Sequence, residues 1–259
     1  MVLIAVAGGT GTAGRAVAAE CLGRGLEVRV ISRHIPPASS PRFVAGAAYA
    51  RADVSTGEGL AEALAGVDVL IETLDARSGA ALKALPATTS ALLAASAGVQ
   101  RAVLLSIVNA DQCAMSYYQA QAARAALYAS AALPATVVFA TQFHNLVAGI
   151  FAAGATVGLV PAFRGVSFQP IATADVARVL VDAALAPAAV ASRVVAGGPA
   201  VATMAELARQ WKAATGRRGL VVPLPLPGAF GRFLREGRNL VPNHAVGTLG
   251  FTDWLTQSR

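Results

Sequence analysis

An apolar run placed directly before a glycine-rich loop constrains the fold of this chain more than any other feature. Residues 2–7 are all apolar, and residues 8–14 read GGTGTAG. A continuous apolar run is typical of a strand buried on both faces of a parallel sheet. A helix is predicted from Arg15 to Leu22 and a second strand from Glu27 to Ser32, so the chain opens with a βαβ unit.

Strands and helices then alternate as far as Thr141. The predicted elements are a strand ending at residues 52–54, a helix opened by a capping box at 55–58 and running to about 65, a strand at 67–73, a helix with Pro86 in its first turn that ends at Gly98, a strand at 101–106, a helix at 115–131 and a strand at 135–141. Each right-handed crossover between parallel strands needs a helix to cover the sheet. The pattern therefore predicts an α/β fold with a doubly wound parallel sheet of Rossmann type.

Beyond Thr141 the pattern is less regular. A helix is predicted at 174–186, a strand at 192–196, and a helix that a capping box of Thr203 and Glu206 opens and Gly216 ends. We expect residues 1–141 to form the nucleotide-binding core, and residues 169–196 to come back to this core and form part of it. Residues 142–168 and 197–259 would form a smaller C-terminal substrate-binding region, since such insertions commonly wall the ligand crevice.

Composition excludes several classes of protein. Hydrophobic residues make up 55% of the chain and charged residues 14%, which excludes a disordered chain. The long uncharged run Leu146–Phe163 contains glycines and Pro161 and is not expected to span a membrane. Met1 is not followed by a basic region or a signal cleavage pattern, so we expect a cytoplasmic protein. Cys21 and Cys113 are expected to be apolar fillers.

The net charge of +7 comes almost entirely from arginine. Arg217 and Arg218, and the series Arg232, Arg235 and Arg238, are the densest basic groups, and they lack the interleaved aromatics of a nucleic-acid surface. We interpret them as solvated faces. No nucleic-acid or membrane partner is expected, and no metal site, because the chain has no His, Cys and carboxylate cluster with ligand spacing.

The glycine loop fits two patterns of dinucleotide-binding turns. Gly8, Gly11 and Gly14 give G-x-x-G-x-x-G, and Gly9, Gly11 and Gly14 give G-x-G-x-x-G. Glycine lets the backbone approach a pyrophosphate, and the helix N-terminus attracts negative charge. Because the loop follows a buried strand and opens a helix, it predicts a dinucleotide site. The loop residues expected to contact the cofactor are Gly8, Thr10, Gly11, Thr12, Ala13 and Gly14.

The end of the second predicted strand bears on the choice of dinucleotide. An NAD site would place a carboxylate there, near the ribose hydroxyl, whereas this chain has Ser32, Arg33 and His34. The forked guanidinium of Arg33 can bind a 2′-phosphate, a contact that contributes roughly 1.5–3 kcal/mol. The expected cofactor is therefore NADP(H).

Residues after the third and fourth predicted strands are further candidates. Asp53 can accept a hydrogen bond from the adenine amino group, with Val54 packed on the ring, or it can cap the following helix; both roles are open. Thr73 ends the fourth predicted strand and Leu74 follows it, and both are also expected to contact the dinucleotide.

From Gly8 to Trp254 the chain resembles the NmrA-like branch of the atypical short-chain dehydrogenase/reductases. Besides the glycine loop, the segments that carry the resemblance are Leu105-Ser106-Ile107-Val108, Tyr117-Tyr118, Ala140-Thr141-Gln142-Phe143-His144, Gln169-Pro170-Ile171, Asp175-Val176-Ala177 and Gly198-Pro199. That family includes NADPH-dependent quinone reductases, reductases of phenylpropanoids, and proteins that bind the dinucleotide as redox sensors without turning it over.

The resemblance implies a tyrosine followed four residues later by a lysine that holds the nicotinamide ribose and lowers the pKa of the phenol. Here Tyr117 is followed at that spacing by Gln121, and Tyr118 by Ala122. A phenol with an unassisted pKa of about 10 donates its proton poorly, so the reduction of an ordinary ketone by Ser106, Tyr117 and Gln121 is not expected. Gln121 can still bond to a ribose hydroxyl. A quinone-like or conjugated acceptor needs little acid help, because the anion formed is delocalised.

Four polar side chains recur on one face of the helix at 115–131. Tyr117, Gln121, Arg124 and Tyr128 stand at i, i+4, i+7 and i+11. This face either lines a cleft or packs on a neighbouring helix or subunit.

His144 follows the sixth predicted strand in the segment of the resemblance, and imidazole can donate or shuttle a proton near neutral pH. Its catalytic role is a hypothesis beside a purely structural one. The residues expected to contact substrate are Tyr118, Gln142, Phe143 and His144, and Phe143 is also assigned to the cofactor.

Three functions are compatible with these features. The first is an NADPH-dependent oxidoreductase of a quinone-like or conjugated aromatic small molecule, as a monomer or homodimer. The second is a non-catalytic NADP(H) sensor with a regulatory protein partner. The third is a cyclisation, dehydration or coupling enzyme that uses the same cleft.

Overall fold

The structure is a computed structural model that describes residues 2–187 and 192–257. Its strands are β1 (Leu3–Ala7), β2 (Glu27–Ser32), β3 (Ala48–Arg51), β4 (Val69–Glu72), β5 (Arg101–Ile107), β6 (Ala135–Ala140), β7 (Leu159–Phe163), β8 (Ser167–Phe168), β9 (Arg193–Ala196), β10 (Ala202–Thr203) and β11 (Leu220–Leu224). Its α-helices are α1 (Thr12–Gly23), α2 (Leu60–Leu64), α3 (Gly79–Ala95), α4 (Ser116–Ala129), α5 (His144–Ala155), α6 (Thr173–Leu185), α7 (Met204–Thr215), α8 (Gly228–Arg235) and α9 (Phe251–Gln257).

A seven-stranded sheet in the order β3-β2-β1-β4-β5-β6-β9 forms the centre of the fold. β1 pairs in parallel with β2 on one side and with β4 on the other. The order reverses at β1, which puts the end of that strand at the switch point where doubly wound folds bind ligands. The predicted α/β class with a doubly wound parallel sheet is confirmed.

The central strands are apolar because both of their faces are covered. Ile4, Val6, Leu70 and Ile71 are fully buried in β1 and β4, and Leu104 is fully buried in β5. This burial explains why β1 and β2 could be predicted within one residue of their observed limits.

Predicted boundaries between β2 and α3 are wrong in three places. β3 ends at Arg51, so residues 52–54 follow the strand. α2 begins at Leu60 after Gly59, whose φ is 72°, and residues 55–58 do not cap it. α3 begins at Gly79, and Pro86 lies inside it, not in its first turn.

A turn held by Asp53 accounts for the first two of these differences. The main-chain N–H and the hydroxyl of Ser55 both donate to Oδ1 of Asp53, at 2.8 and 2.5 Å. Ser55 is thereby engaged in a local turn and cannot open a helix. The prediction that Asp53 caps the next helix is therefore wrong, because Gly59 occupies the cap position of α2.

Two short strand pairs and several helices lie outside the central sheet. β11 pairs in parallel with β7, and β10 pairs antiparallel with β8. The predicted capping box at the start of α7 is present, and Gly216 ends that helix with a φ of 66°. α5, α8 and α9 were not predicted, because glycines and prolines interrupt the pattern of this part of the chain.

The chain divides into two compact units. The first contains residues 1–106, 116–139 and 176–194, and the second contains 107–115, 140–175 and 195–259. Cys21 and Cys113 are both buried, and neither forms a disulfide bond within the described part of the chain. Within the described part of the chain, no helix has the length and apolar character needed to cross a membrane.

Candidate functional site

The glycine loop between β1 and α1 is packed so closely that side chains would not fit at three of its positions. A Cβ on Gly14 would lie 2.3 Å from the carbonyl oxygen of Gly8 and 2.7 Å from Oγ1 of Thr73. Gly8 has a φ of 81°, and a Cβ there would lie 2.9 Å from the nitrogen of Leu74. A Cβ on Gly9 would lie 2.8 Å from a methyl carbon of Val30. The glycines thus bring helix, loop and strand into direct contact.

The main-chain N–H groups at the start of α1 donate no hydrogen bond to the side chain of a cap residue, because the cap residue is a glycine. The cap residue is Gly11, which makes no side-chain hydrogen bond, and the first turn contains no acidic residue. The N–H of Gly11 bonds to the carbonyl of Gly8 at 2.9 Å, which closes the loop. The first-turn residues Thr12, Ala13 and Gly14 therefore stand at a helix N-terminus suited to an anion. This geometry fits the pyrophosphate of a dinucleotide.

Thr73 and Leu74 lie beside the loop, as expected for residues that follow β4. Thr73 is buried, and its hydroxyl donates to the carbonyl of Ala7 at 3.0 Å. A Cβ on Gly8 would lie 2.9 Å from both the main-chain nitrogen of Leu74 and the carbonyl carbon of Thr73. These two residues therefore form part of the wall of the loop.

Arg33 is exposed directly after β2, in the same region of the first unit as Asp53. Its positive charge is one of the smaller causes that lower the pKa of Asp53, after the hydrogen bonds from Ser55. Asp53 is half-buried, and Val54 is buried in the core with Leu60. The roles of Arg33, Asp53 and Val54 toward a nucleotide stay predictions.

Tyr117 and Gln121 of α4 converge on one carboxylate. The hydroxyl of Tyr117 donates to Oδ1 of Asp75 at 3.0 Å, and Nε2 of Gln121 donates to the same oxygen at 3.4 Å. Burial, together with the charge and hydrogen bond of Asp75, raises the pKa of the Tyr117 phenol well above its usual range. The phenol is therefore a weaker acid here than in water. We call Asp75, Tyr117 and Gln121 the Asp75 cluster.

Behind the Asp75 cluster lies a fully buried ion pair. Nη2 of Arg124 and Oε1 of Glu72 are 2.8 Å apart, and both side chains have 0% exposure. The hydroxyl of Tyr128 donates to Oε2 of Glu72 at 2.9 Å, and that of Thr89 donates to Oε1 at 2.7 Å. Nη1 of Arg124 donates to Oε1 of Gln121 at 2.7 Å. The helix face noted in the sequence thus packs inward, on β4 and α3.

These contacts fix the orientation of the Gln121 amide. Its oxygen accepts from Arg124, so its nitrogen must point to Asp75, and the reverse orientation would set two donors against each other. Gln121 is thereby held as a donor toward the end of β4.

Two further candidates in the first unit, Ser106 and Tyr118, contact residues of α4. The hydroxyl of Ser106 is buried and donates to the main-chain oxygen of Gln121 at 3.3 Å. The ring of Tyr118 is buried and stands edge-on to that of Tyr117, with centroids 5.9 Å apart. The structure therefore brings Ser106, Tyr117 and Gln121 together, whereas their catalytic roles and the substrate role of Tyr118 stay predictions.

His144 belongs to the second unit, where it begins α5 and is 1% exposed. Nε2 lies 2.8 Å from the carbonyl of Leu249, which can only accept, so this nitrogen carries the proton. The ring lies 5.5 Å from the rings of both Phe251 and Trp254. Burial lowers the pKa of His144, which keeps the ring neutral near pH 7. These contacts give His144 a packing role, and its catalytic role stays a prediction.

Gln142 and Phe143 precede α5 in the same unit. Phe143 caps the helix and forms an isolated bridge with Ile171. Gln142 is buried; its Oε1 accepts from Nδ2 of Asn239 at 3.4 Å, while its Nε2 has no partner among the described residues. The substrate and cofactor roles of Gln142 and Phe143 stay predictions.

Sequence reasoning missed Glu72, Asp75 and Thr89. Glu72 ends the apolar run of β4, and a carboxylate in a central strand needs a buried partner, so the sequence did carry a signal for it. Asp75 and Thr89 gave no signal, because their roles depend on contacts with α4. Among the described residues, no group of three or more His, Cys, Asp or Glu side chains could hold a metal ion.

Comparison with solved structures shows the same fold in enzymes of several kinds. The NADPH-dependent quinone oxidoreductase of Escherichia coli, crystallised with NADPH, is 17% identical, has a TM-score of 0.76 and aligns over 98% of this chain and 99% of its own. The UDP-glucose 4-epimerase of Thermotoga maritima is 15% identical, with a TM-score of 0.75 over 98% of this chain and 96% of its own. A nucleoside-diphosphate-sugar epimerase from Staphylococcus aureus is 16% identical, with a TM-score of 0.73 over 99% and 100%.

At these identities the likeness concerns the fold alone. No curated protein matches the chain. The family comparison is more specific, because the sequence model described as "NmrA-like family" matches residues 2–247, nearly the whole chain. The resemblance inferred from the motifs is thereby confirmed, and the chain belongs to the NmrA-like family.

Proposed function

We propose that this protein is an NADPH-dependent reductase of a quinone-like or otherwise conjugated aromatic small molecule. One observation carries the choice of substrate class: the Tyr117 phenol donates to the carboxylate of Asp75 and has a raised pKa. A phenol held in this way is a poor proton donor, so a reaction that depends on strong acid catalysis is disfavoured. An acceptor whose anion is delocalised does not depend on it.

The glycine loop and Arg33 support NADPH as the cofactor. The N-terminus of α1, where the cap residue Gly11 makes no side-chain hydrogen bond, would hold the pyrophosphate, and the exposed guanidinium of Arg33 would bind the 2′-phosphate. A known member of the same fold, the quinone oxidoreductase of Escherichia coli, was crystallised with NADPH. That likeness supports a nicotinamide dinucleotide, and the preference for its phosphorylated form rests on Arg33.

When bound, NADPH supplies a hydride from its nicotinamide ring. The chain's own contribution is to bind and orient: the Gln121 amide, fixed by Arg124, presents its nitrogen as a donor. A ribose hydroxyl is a suitable acceptor for that donor. Positioning the two reactants together accounts for most of the expected rate enhancement.

The test is oxidation of NADPH by the purified protein with a panel of quinones, followed by loss of NADPH absorbance. We expect turnover with at least one quinone and much slower turnover with simple ketones. Equal rates of NADPH oxidation with and without each acceptor, at high protein concentration, would refute the proposed reductase function.

Substitution of Arg33 tests the cofactor assignment separately. Arg33→Gln should weaken NADPH binding roughly 10- to 100-fold and leave NADH binding unchanged, because only the 2′-phosphate contact is lost. Arg209→Gln removes an exposed arginine of α7 and serves as the matched control for net charge. Equal losses of NADPH and NADH affinity in the Arg33 variant would contradict the assignment.

The raised pKa of Tyr117 also favours a second candidate, a dinucleotide sensor that does not catalyse. A sensor must bind the dinucleotide and must not turn it over, and a protein with the nucleotide-binding loop but no effective proton donor meets both conditions. This candidate predicts no turnover with any acceptor, unequal affinities for NADP+ and NADPH, and a regulatory protein recovered by pull-down. Turnover with a quinone would remove it.

A further inference from the structure

The charges around the Asp75 cluster do not balance. Behind it, Glu72 and Arg124 form a fully buried pair and cancel each other. Asp75 itself is exposed, and its charged neighbour is Arg77, with Nε 3.5 Å from Oδ2 and a side chain that is 72% exposed. An exposed pair of this kind is weak, because water screens it. Arg77 therefore offsets the charge of Asp75 only in part, and the net effect of the two at Tyr117 is that of a negative charge.

The place of Asp75 in the fold puts this charge near the path of a bound dinucleotide. Asp75 follows Thr73 and Leu74, whose backbone contacts Gly8 of the glycine loop. β4 lies between β1, which leads into that loop, and β5, which contains Ser106. In a doubly wound sheet the ligand lies across the carboxyl ends of these strands. A carboxylate just beyond β4 therefore stands between the phosphate site and the reacting end.

The oxidised and reduced forms of the dinucleotide differ in charge at that end. The nicotinamide ring of NADP+ carries a positive charge that NADPH lacks. We infer that Asp75 sets the preference of this protein between the two oxidation states, because its carboxylate stabilises the oxidised form relative to the reduced form. This inference rests on the proposed dinucleotide binding, and it assigns to Asp75 a specificity-determining role.

The effect of Asp75 on its neighbour supports the inference. Burial is the main cause that raises the pKa of Tyr117, and the negative charge of Asp75, 3.0 Å from the phenol oxygen, is the next, with Arg77 opposing it. The same field would favour a nearby positive ring. In a reductase this preference helps the reaction in the forward direction, because it stabilises the form of the cofactor that hydride donation leaves behind.

The experiment compares dissociation constants of NADP+ and NADPH, measured by calorimetry on the purified protein. Asp75→Asn should raise the dissociation constant of NADP+ relative to that of NADPH by roughly three- to tenfold, the size expected for one charge acting through partly solvated space. Asp75→Glu keeps the charge and should stay near the wild-type ratio. The shift should shrink in high salt, because the carboxylate is exposed.

Two further variants separate charge from hydrogen bonding. Tyr117→Phe removes the hydroxyl and leaves the carboxylate of Asp75. The ratio of the dissociation constants of NADP+ and NADPH should therefore stay near the wild-type value or shift further toward tight binding of NADP+. Arg77→Gln removes the opposing cation and should shift the ratio toward NADP+. A ratio that stays within twofold of wild type in Asp75→Asn, with both forms still bound, would overturn the inference and leave the proposed function intact. Failure of the wild-type protein to bind either form would overturn both.

Discussion

Replacing Arg124 with methionine should destabilise the protein far more than a typical substitution in a helix. Arg124 is fully buried and forms three hydrogen bonds, with Glu72, Thr89 and Gln121. Methionine fills similar volume and removes the cation. The carboxylate of Glu72 then stays buried, and among the described residues its remaining hydrogen-bond donors are the hydroxyls of Thr89 and Tyr128.

The expected loss follows from the cost of leaving a buried charge unpaired. Breaking a buried ion pair by removal of one partner costs roughly 3–5 kcal/mol, and the bonds to Thr89 and Gln121 are lost as well. One kcal/mol corresponds to about 2–4 °C in the melting temperature of a chain near this size. We therefore expect the melting temperature of Arg124→Met to fall on the order of 10 °C, as measured by calorimetry and checked by urea unfolding.

An exposed ion pair of nearly the same length provides the control. Nε of Arg238 lies 2.7 Å from Oε2 of Glu236, with both side chains more than 40% exposed. Arg238→Met should cost less than about 1 kcal/mol, because water already solvates both charges. The double variant Glu72→Met with Arg124→Met should be clearly more stable than the sum of the single losses predicts, since no charge is then left unpaired. Additive losses, or an Arg124 effect no larger than that of Arg238, would refute this reasoning.

Three further predictions concern the glycine loop, the buried thiol and the capping box. Gly14→Ala should abolish dinucleotide binding, because its Cβ would lie 2.3 Å from the carbonyl oxygen of Gly8. A Cβ on Gly23 of the same helix would meet nothing within 4 Å, so Gly23→Ala should bind the dinucleotide normally, as measured by calorimetry. Equal binding by the two variants would contradict the packing argument. Burial raises the pKa of Cys21 from 9.0 to about 12. The folded protein therefore keeps a proton that the unfolded chain loses, so stability holds below about pH 8 and falls as the pH rises through 9, with a limiting slope of about 1.4 kcal/mol per pH unit. Urea unfolding at pH 8, 9 and 10 should show a loss of about 1 kcal/mol between pH 9 and 10 in the wild type and a smaller loss in Cys21→Ala; the same loss in both would assign it to other groups. Thr203→Ala removes the hydroxyl that accepts from the N–H of Glu206 and should cost about 1 kcal/mol in thermal unfolding, whereas Thr203→Ser should cost little; equal losses would show that the bond is not the cause.

The parts of the fold that could be predicted are those in which one local pattern decides the structure. β1 and β2 are buried strands with continuous apolar runs, and α7 has a capping box at one end and a glycine at the other. In each case the signal lies within a few consecutive residues. The glycine loop belongs to this class too, because its function depends on its own backbone and on the strand and helix beside it.

The parts that could not be predicted depend on contacts between distant segments. α3 continues through Pro86, although a proline more often marks the first turn of a helix. α5 begins at His144, whose ring packs on Phe251 and Trp254, more than a hundred positions further along the chain. Patterns of neighbouring residues carry no information about such contacts.

The buried pair also bears on whether the basic residue of α4 lowers the pKa of the Tyr117 phenol. α4 contains one basic residue, Arg124, on the same face as Tyr117. Arg124 is the natural substitute, but its guanidinium is bound to Glu72, Thr89 and Gln121 and is fully buried. The charge of Arg124 is compensated by Glu72, and the group that accepts the hydrogen bond of the Tyr117 phenol is the carboxylate of Asp75. The net electrostatic effect at this phenol is therefore the reverse of what a lysine would give, because burial and Asp75 outweigh the opposing charge of Arg77, and the Tyr117 phenol is a weaker acid for this physical reason.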